Sequence, residues 1–368
     1  MLYDKNRKNP SLDLELFKNP TAEYRGTPFW AWNCDLQKDE LCRQIDIFKE
    51  MGLGGFHMHC RDGMSTTYLS DGFMGLVKAC TDHAKENEML AWLYDEDKWP
   101  SGFGGGYVTK EDTFRQRYLT FTCDANYKVR DNARLIARFD VVLGEDKCLK
   151  SYRKVAEGDA VEGTLWTVWR EISGNSPWYN NQSYVDTLNK KAIDRFIEVT
   201  HERYFNTVGD EFGKTVPAIF TDEPQFMRKG TLAFADSKQN VHLPWTDDFE
   251  DTFKATYGES LVEHLPELLW DLPNGEISLT RYHYHDHISE RFAQAFADNC
   301  GEWCKAHGIE LTGHMMEEPC TSRRSCRRRP RRSARRCDRG SGSGSGKSHR
   351  SADPTEARAD DPPETPRR

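Results

Sequence analysis

Short apolar runs along this chain alternate with longer stretches in which apolar residues recur every three or four positions. Pro28-Phe29-Trp30-Ala31-Trp32-Asn33 reads as a first strand. Leu36, Leu41, Ile45, Phe48 and Met51 then follow at helical spacing, and Gly52 stops the helix. Residues 54–60, GGFHMHC, read as a second strand, and Leu76, Ala79, Cys80 and His83 mark a second helix up to about Met89. Leu90-Ala91-Trp92-Leu93-Tyr94 is a third strand, closing in Asp95-Glu96-Asp97-Lys98-Trp99-Pro100-Ser101-Gly102. This alternation of strand and helix predicts a parallel sheet with right-handed crossovers.

Residues 114–172 break the rhythm. Runs at 118–123, 134–142 and 163–172 read as strands between polar turns, as expected of a small β insertion in the loop after a barrel strand. The rhythm returns with 184–189 as a fourth strand and a helix over 190–204 carrying Ala192, Phe196, Val199 and Tyr204. Val216–Phe226, VPAIFTDEPQF, is the fifth: an apolar run ending in Thr221-Asp222-Glu223-Pro224. Residues 227–272 read as a long loop with one or two helices, 282–307 as a helix, and 309–316 as a sixth strand ending in Glu317-Glu318-Pro319. The predicted class is α/β: a (β/α)8 TIM-type barrel, incomplete at about six βα units. A polar lead-in covers 1–27, the partial barrel 28–320, and the β insertion after the third strand 114–172.

Composition changes the picture at one place. From Thr321 onward there is no Leu, Ile, Val, Met, Phe, Tyr or Trp, but 14 Arg and one Lys against six Asp and Glu. That tail carries +9, so residues 1–320 carry −17 of the net −8. Residues 321–368 cannot bury a core and are expected to be disordered. The abrupt change just past a strand suggests a reading frame lost near Pro319, leaving a truncated barrel that is quite conceivably inactive. The acidic body argues against nucleic acid as a partner. Eleven cysteines without a CxxC, an amino terminus without an apolar run and the lack of a long apolar stretch predict a cytoplasmic chain without membrane contact.

The strand ends collect the candidate chemistry: Asn33; His57 and His59; Asp95, Glu96 and Trp99; Asp186 and Asn189; Asp222 and Glu223; His314, Glu317 and Glu318. In a parallel barrel these ends share one face, which carries the active site. Carboxylates supply acid and base there, and indoles stack on sugar C–H surfaces. Glu223 and Glu318 form the candidate catalytic pair, with Glu317 as the alternative second member, because adjacent strand residues face opposite ways. His57, His59, Asp95, Glu96, Trp99, Asn189, Asp222, His314 and Glu317 are the candidate substrate contacts. Zinc on His57, His59 and His314 is a competing arrangement, as is a hard cation on Asp95, Glu96 or Glu317. Gly104-Gly105-Gly106 lacks the partners of a phosphate loop and reads as flexible.

In this order, PFWAWN, GGFHMH, YDEDKWPSGFGGG, VDTLN with IEVTHERY, IFTDEP and LTGHMMEEP resemble the catalytic barrel of glycoside hydrolase family 106, the α-L-rhamnosidase family. The resemblance covers roughly residues 20–320. It implies a barrel fold, hydrolysis of terminal α-L-rhamnose with inversion, a rhamnoside or oligosaccharide substrate, and calcium near the sugar hydroxyls on ligands it does not assign. The IFTDEP match places a catalytic carboxylate at Glu223, and the GHMMEEP match the second at Glu318. Inversion would set the two carboxyls about 6.5–9.5 Å apart. A sugar-binding protein without catalysis is the alternative.

Overall fold

The computed structural model describes Ser11 and residues 13–314, so Glu317, Glu318 and the tail at 321–368 lie outside the described residues. Five parallel strands form one sheet: β1 (Phe29–Trp32), β2 (Gly55–Cys60), β3 (Leu90–Tyr94), β8 (Ala218–Asp222) and β10 (Glu310–His314), in that spatial order. Four antiparallel strands, β4 (Arg117–Thr122), β5 (Arg134–Leu143), β6 (Leu149–Lys154) and β7 (Thr164–Ile172), lie between β3 and β8 in sequence. They build a second sheet together with β9 (Val241–Trp245) in the order β6-β5-β7-β4-β9. The helices are α1 (Leu14–Lys18), α2 (Lys38–Glu50), α3 (Asp71–Glu86), α4 (Lys190–Val199), α5 (His201–Val208), α6 (Phe249–Tyr257), α7 (Leu279–Phe292) and α8 (Asn299–Ala306), with a π-helical turn Ala293–Asp298 joining the last two.

Alternation along the parallel strands sorts two faces. Trp30, Trp32 and Phe56 pack against the helices: Trp30 lies 5.4 Å from Phe48 of α2 and Trp32 5.7 Å from Phe73 of α3, ring to ring. The alternate positions, Phe29, His57, His59, Trp92, Tyr94 and Phe220, turn to the other side and pack on one another. The sheet curls around this second set. In a flat sheet β1 and β10 would stand about 19 Å apart, yet the rings of Phe29 and His314, on those two strands, are 6.0 Å apart. The second sheet instead packs one face, including Phe139, Trp166, Val168, Leu243 and Trp245, into a separate core with Phe249 of α6 and Tyr284 of α7.

Three expectations need correction. The parallel sheet has five strands, not six, because residues 184–189 form no strand. Val185 makes only an isolated bridge to Arg115. The Asp186 carboxylate folds back to accept from the Leu188 amide at 3.2 Å and from Thr246 Oγ1 at 2.6 Å, a local turn that competes with a ladder. The β unit is not confined to 114–172, since β9 completes it from the stretch read as loop and helix. Finally, 145–154 holds an additional strand, β6, that the sequence pattern did not mark.

Where α4 gives way to α5, His201 is fully buried, 5.5 Å from the Phe196 ring and 5.2 Å from that of Trp303. Its Nδ1 meets Thr200 Oγ1 at 2.8 Å, and its Nε2 has no hydrogen-bond partner. Burial depresses its pKa to about 3, against about 6.5 in the unfolded chain. The folded-state value is the lower one, so stability is retained above pH 6.5 and lost as pH falls from there toward 3. At pH 5 this linkage costs about 2 kcal/mol. His201→Phe should therefore gain on the parent protein by about 2 kcal/mol between pH 7.5 and pH 5. Denaturant midpoints at the two pH values measure this; an offset that does not change with pH would refute it.

Candidate active site

The carboxyl ends of β2, β3, β8 and β10 bring His59, Tyr94, Asp222 and His314 to one region of the curled sheet, and His57 lies deeper, in the middle of β2 against the ring of Phe29. Parallel register sets this up: Phe29 pairs with His57, Ala31 with His59, Tyr94 with Phe220, and His314 with Asp222. His57 stacks on Trp92 at 4.8 Å, and His59 leans on Tyr94 at 4.3 Å. Both imidazoles are buried, which depresses each pKa to about 4. They are neutral at pH 7, so each ring has one donor and one acceptor nitrogen. His57 Nδ1 and His59 Nε2 have no hydrogen-bond partner among the described residues. The neighbouring Trp92 Nε1 and Thr221 Oγ1 are buried without a partner among the described residues as well, and a bound water or a ligand group would satisfy atoms of this kind. Beside them, Asp222 Oδ2 accepts from Tyr94 Oη at 2.7 Å, and Asp222 Oδ1 lies 3.7 Å from His314 Nδ1.

Glu223 follows Asp222 with φ +44°. That left-handed backbone is uncommon for a long side chain and costs roughly 1–3 kcal/mol. It also breaks the strand alternation that would send residue 223 to the face opposite Asp222. Pairing still reaches this residue, since the Glu223 amide donates to the His314 carbonyl at 3.0 Å.

The loop after β3 is rigidly built. Glu96 is fully buried, and its carboxylate accepts from four backbone amides: Asp97 at 2.9 Å and Gly105 at 2.6 Å on Oε1, Gly102 at 3.0 Å and Gly104 at 2.8 Å on Oε2. Gly104 and Gly105, with φ +56° and +61°, let successive amides converge on one anion. The triple glycine is therefore neither a flexible loop nor a phosphate cradle; the anion it surrounds is the Glu96 side chain. Burial pushes the Glu96 carboxyl up, and the amides oppose that by favouring its charged form. With both oxygens occupied, Glu96 acts on the loop and not as a substrate contact.

Asp95 is also fully buried. Its Oδ1 accepts from Ser101 Oγ at 2.6 Å, and burial raises its pKa to about 7. Trp99 is 40% exposed and meets Trp178 edge to face at 5.8 Å; the Trp178 indole donates to the Trp99 carbonyl at 2.8 Å. Asn189 caps α4 by accepting from the Lys191 amide at 3.1 Å, a helix-end role instead of a strand-end one. Glu317 and Glu318 fall outside the described residues, and with them the expected separation from Glu223. Ser101, Tyr94 and Trp178 went unmarked in the sequence. Ser101 carried a trace of its role, since it sits between the acids and the glycines of the motif after β3.

Among the described residues, no group of three or more His, Cys, Asp and Glu side chains is arranged to hold a metal ion. The zinc arrangement is not formed: Phe29 stands among its three histidines, 4.9, 4.8 and 6.0 Å from the rings of His57, His59 and His314. Of the hard-cation candidates, Glu96 is occupied by amides, Asp95 Oδ1 accepts from Ser101 while its buried Oδ2 has no partner among the described residues, and Glu317 lies outside them. What remains is two uncharged imidazoles, a carboxylate and aromatic rings, a lining suited to a neutral, hydroxyl-rich ligand.

No family model matches the chain, and no curated protein matches it. Among solved structures, a rhamnosidase from Novosphingobium sp. PP1Y superposes with a TM-score of 0.57 at 12% identity, over 84% of this chain and 48% of that one. The fold is thus rhamnosidase-like, and this chain spans about half the length of that structure. No helix among the described residues is long and apolar enough to cross a membrane.

Proposed function

We propose that the chain carries the catalytic region of a glycoside hydrolase of family 106 type. Its reaction is cleavage of terminal α-L-rhamnosyl, or related deoxy-sugar, linkages with inversion. The observation that carries this reading is the gathering of two neutral imidazoles, His57 and His59, with Asp222 and the rings of Phe29, Trp92, Tyr94 and Phe220 on one face of the curled sheet. The rhamnosidase-like fold supports it, and so does the curled parallel sheet, which is the shape of part of a (β/α)8 barrel.

In this reading a sugar ring lies on the aromatic wall and its hydroxyls complete His57 and His59. Glu223 stands at the scissile bond as one of two carboxyls, and Glu318 serves as the other. One protonates the leaving oxygen, and the second draws a proton from the attacking water.

The test is the full chain with a chromogenic aryl α-L-rhamnoside, following the product anomer by proton NMR. Expected are release of the phenol and first appearance of β-rhamnose. His57→Ala should raise KM roughly tenfold through the lost hydroxyl contact, about 1.4 kcal/mol. Saturable rhamnose binding without turnover would favour a sugar-binding protein, and neither binding nor turnover would end the rhamnoside reading.

A further inference from the structure

We propose that Ser101 and Tyr184 are positioning residues that clamp the backbone on both sides of Glu223 and hold it in its left-handed conformation. The inference rests on the catalytic reading of Glu223 for its functional half only. The geometry is independent of it.

A residue with φ +44° relaxes toward ordinary backbone unless its neighbours are fixed. Here they are fixed by three elements. Upstream, the Ser101 amide donates to the Asp222 carbonyl at 2.8 Å, and the Asp222 amide donates to Ser101 Oγ at 2.8 Å. Ser101 thereby pairs with Asp222 through main chain and side chain together. At Glu223 itself the amide is held by the His314 carbonyl at 3.0 Å. Downstream, the Gln225 amide donates to Tyr184 Oη at 3.2 Å, while the Gln225 carbonyl accepts from Thr187 Oγ1 at 2.8 Å. The two sides are joined, because Tyr184 Oη donates to the Ser101 carbonyl at 2.7 Å. One phenol thus links Ser101, which holds the residue before the strained position, to Gln225, two residues after it.

The clamp has a firm base. Ser101 Oγ gives its proton to buried Asp95, which fixes the hydroxyl lone pairs toward the Asp222 amide. Glu96 fixes the loop that presents Ser101. Ser101 and Tyr184 are buried, and every polar group of theirs named here is paired within the clamp. Residues 184–189 leave the parallel sheet, and Tyr184 and Thr187 reach the Glu223 turn from there.

The test uses Tyr184→Phe and Ser101→Ala in the full chain. Tyr184→Phe keeps the ring and removes only the bridging hydroxyl; it serves should Ser101→Ala fail to fold. Amide hydrogen exchange is read at 222–225 and at distant core strands. Turnover is read for each variant alone and combined with Glu223→Gln. Expected is a tenfold or greater loss of protection at 222–225 with little change in β2. With it, kcat should fall roughly tenfold to hundredfold while KM stays within about twofold. In the Glu223→Gln background neither variant should lower the residual rate further, because the clamp acts through that carboxyl. Unchanged protection at 222–225 in both variants would overturn the clamp. Lost protection with unchanged kcat, or effects that simply add to Glu223→Gln, would overturn the positioning role. A parent protein without turnover would instead sink the glycosidase reading, and the exchange data would still decide the clamp.

Discussion

Glu223→Gln is expected to lower kcat on an aryl rhamnoside by about a thousandfold, equivalent to ~4 kcal/mol of transition-state stabilisation. The amide matches the carboxyl in shape but neither gives nor takes a proton, so the loss should fall on kcat and leave KM nearly unchanged. Gln pays the same backbone cost as Glu at φ +44°, and the amide bond to the His314 carbonyl does not involve the side chain. The fold should therefore be unaffected, with a melting temperature within a degree or two. Glu223→Gly is the informative companion. It relieves the left-handed strain and should be inactive; its stability against the Gln variant reads the strain relieved minus what the side chain contributes. Full turnover by the Gln variant would remove Glu223 from the mechanism, whereas a large loss of stability would mean that its side chain holds the fold.

Glu96→Ala carries the largest expected effect on stability. Four amides lose their acceptor at once, and those of Gly102 and Gly104 are bonded within the buried interior. Leaving such groups unpaired costs about 4 kcal/mol even after relief of the buried charge. For a body of this size that is a drop in melting temperature of roughly 6 °C. Glu96→Gln should fare little better, since it offers one acceptor oxygen and turns an NH2 group toward the other donors. Turnover should fall in both variants, because the loop they loosen presents Ser101 to Asp222. Thermal unfolding followed by circular dichroism decides: a shift under about 2 °C for Glu96→Ala would show that water or a neighbouring group replaces the carboxylate.

The two acids after β3 show how far sequence reading reached and where it stopped. Asp95 and Glu96 were legible as strand-end carboxylates, because an apolar run that closes in acids is visible in one dimension. Their roles were not, since a buried carboxylate and an open one have the same letter. The glycines that distinguish them were in view, but what those amides surround depends on backbone handedness. The strands divide along similar lines. β1, β2, β3, β8 and β10 are apolar and buried enough to announce themselves. β6, LKSYRK, is an edge strand carrying lysines and arginine, a composition that protects an edge and hides the period. β9, VHLPW, contains Pro244, which argues against a strand unless it lies at an edge, as it does here. The run at 184–189 has a strand's composition, but the Asp186 side chain ties it into a turn. Of the candidate residues, His59, Asp222, Glu223 and His314 stand at strand ends of the parallel sheet, whereas His57 lies in the middle of β2. The partners that shape it, Tyr94, Ser101 and Tyr184, act through hydroxyls that no spacing rule singles out.

The bond between the Glu223 amide and the His314 carbonyl has a consequence for the order of assembly. These residues stand roughly ninety positions apart, with α6, α7 and α8 between them. During synthesis the segment carrying Glu223 leaves the ribosome well before β10 does. Until β10 docks beside β8, the strained turn lacks one of its holding bonds, and closing so long a loop carries an entropic cost of several kcal/mol. The Glu223 turn is therefore among the last features to be completed, and its maturation is coupled to the arrival of a strand far downstream.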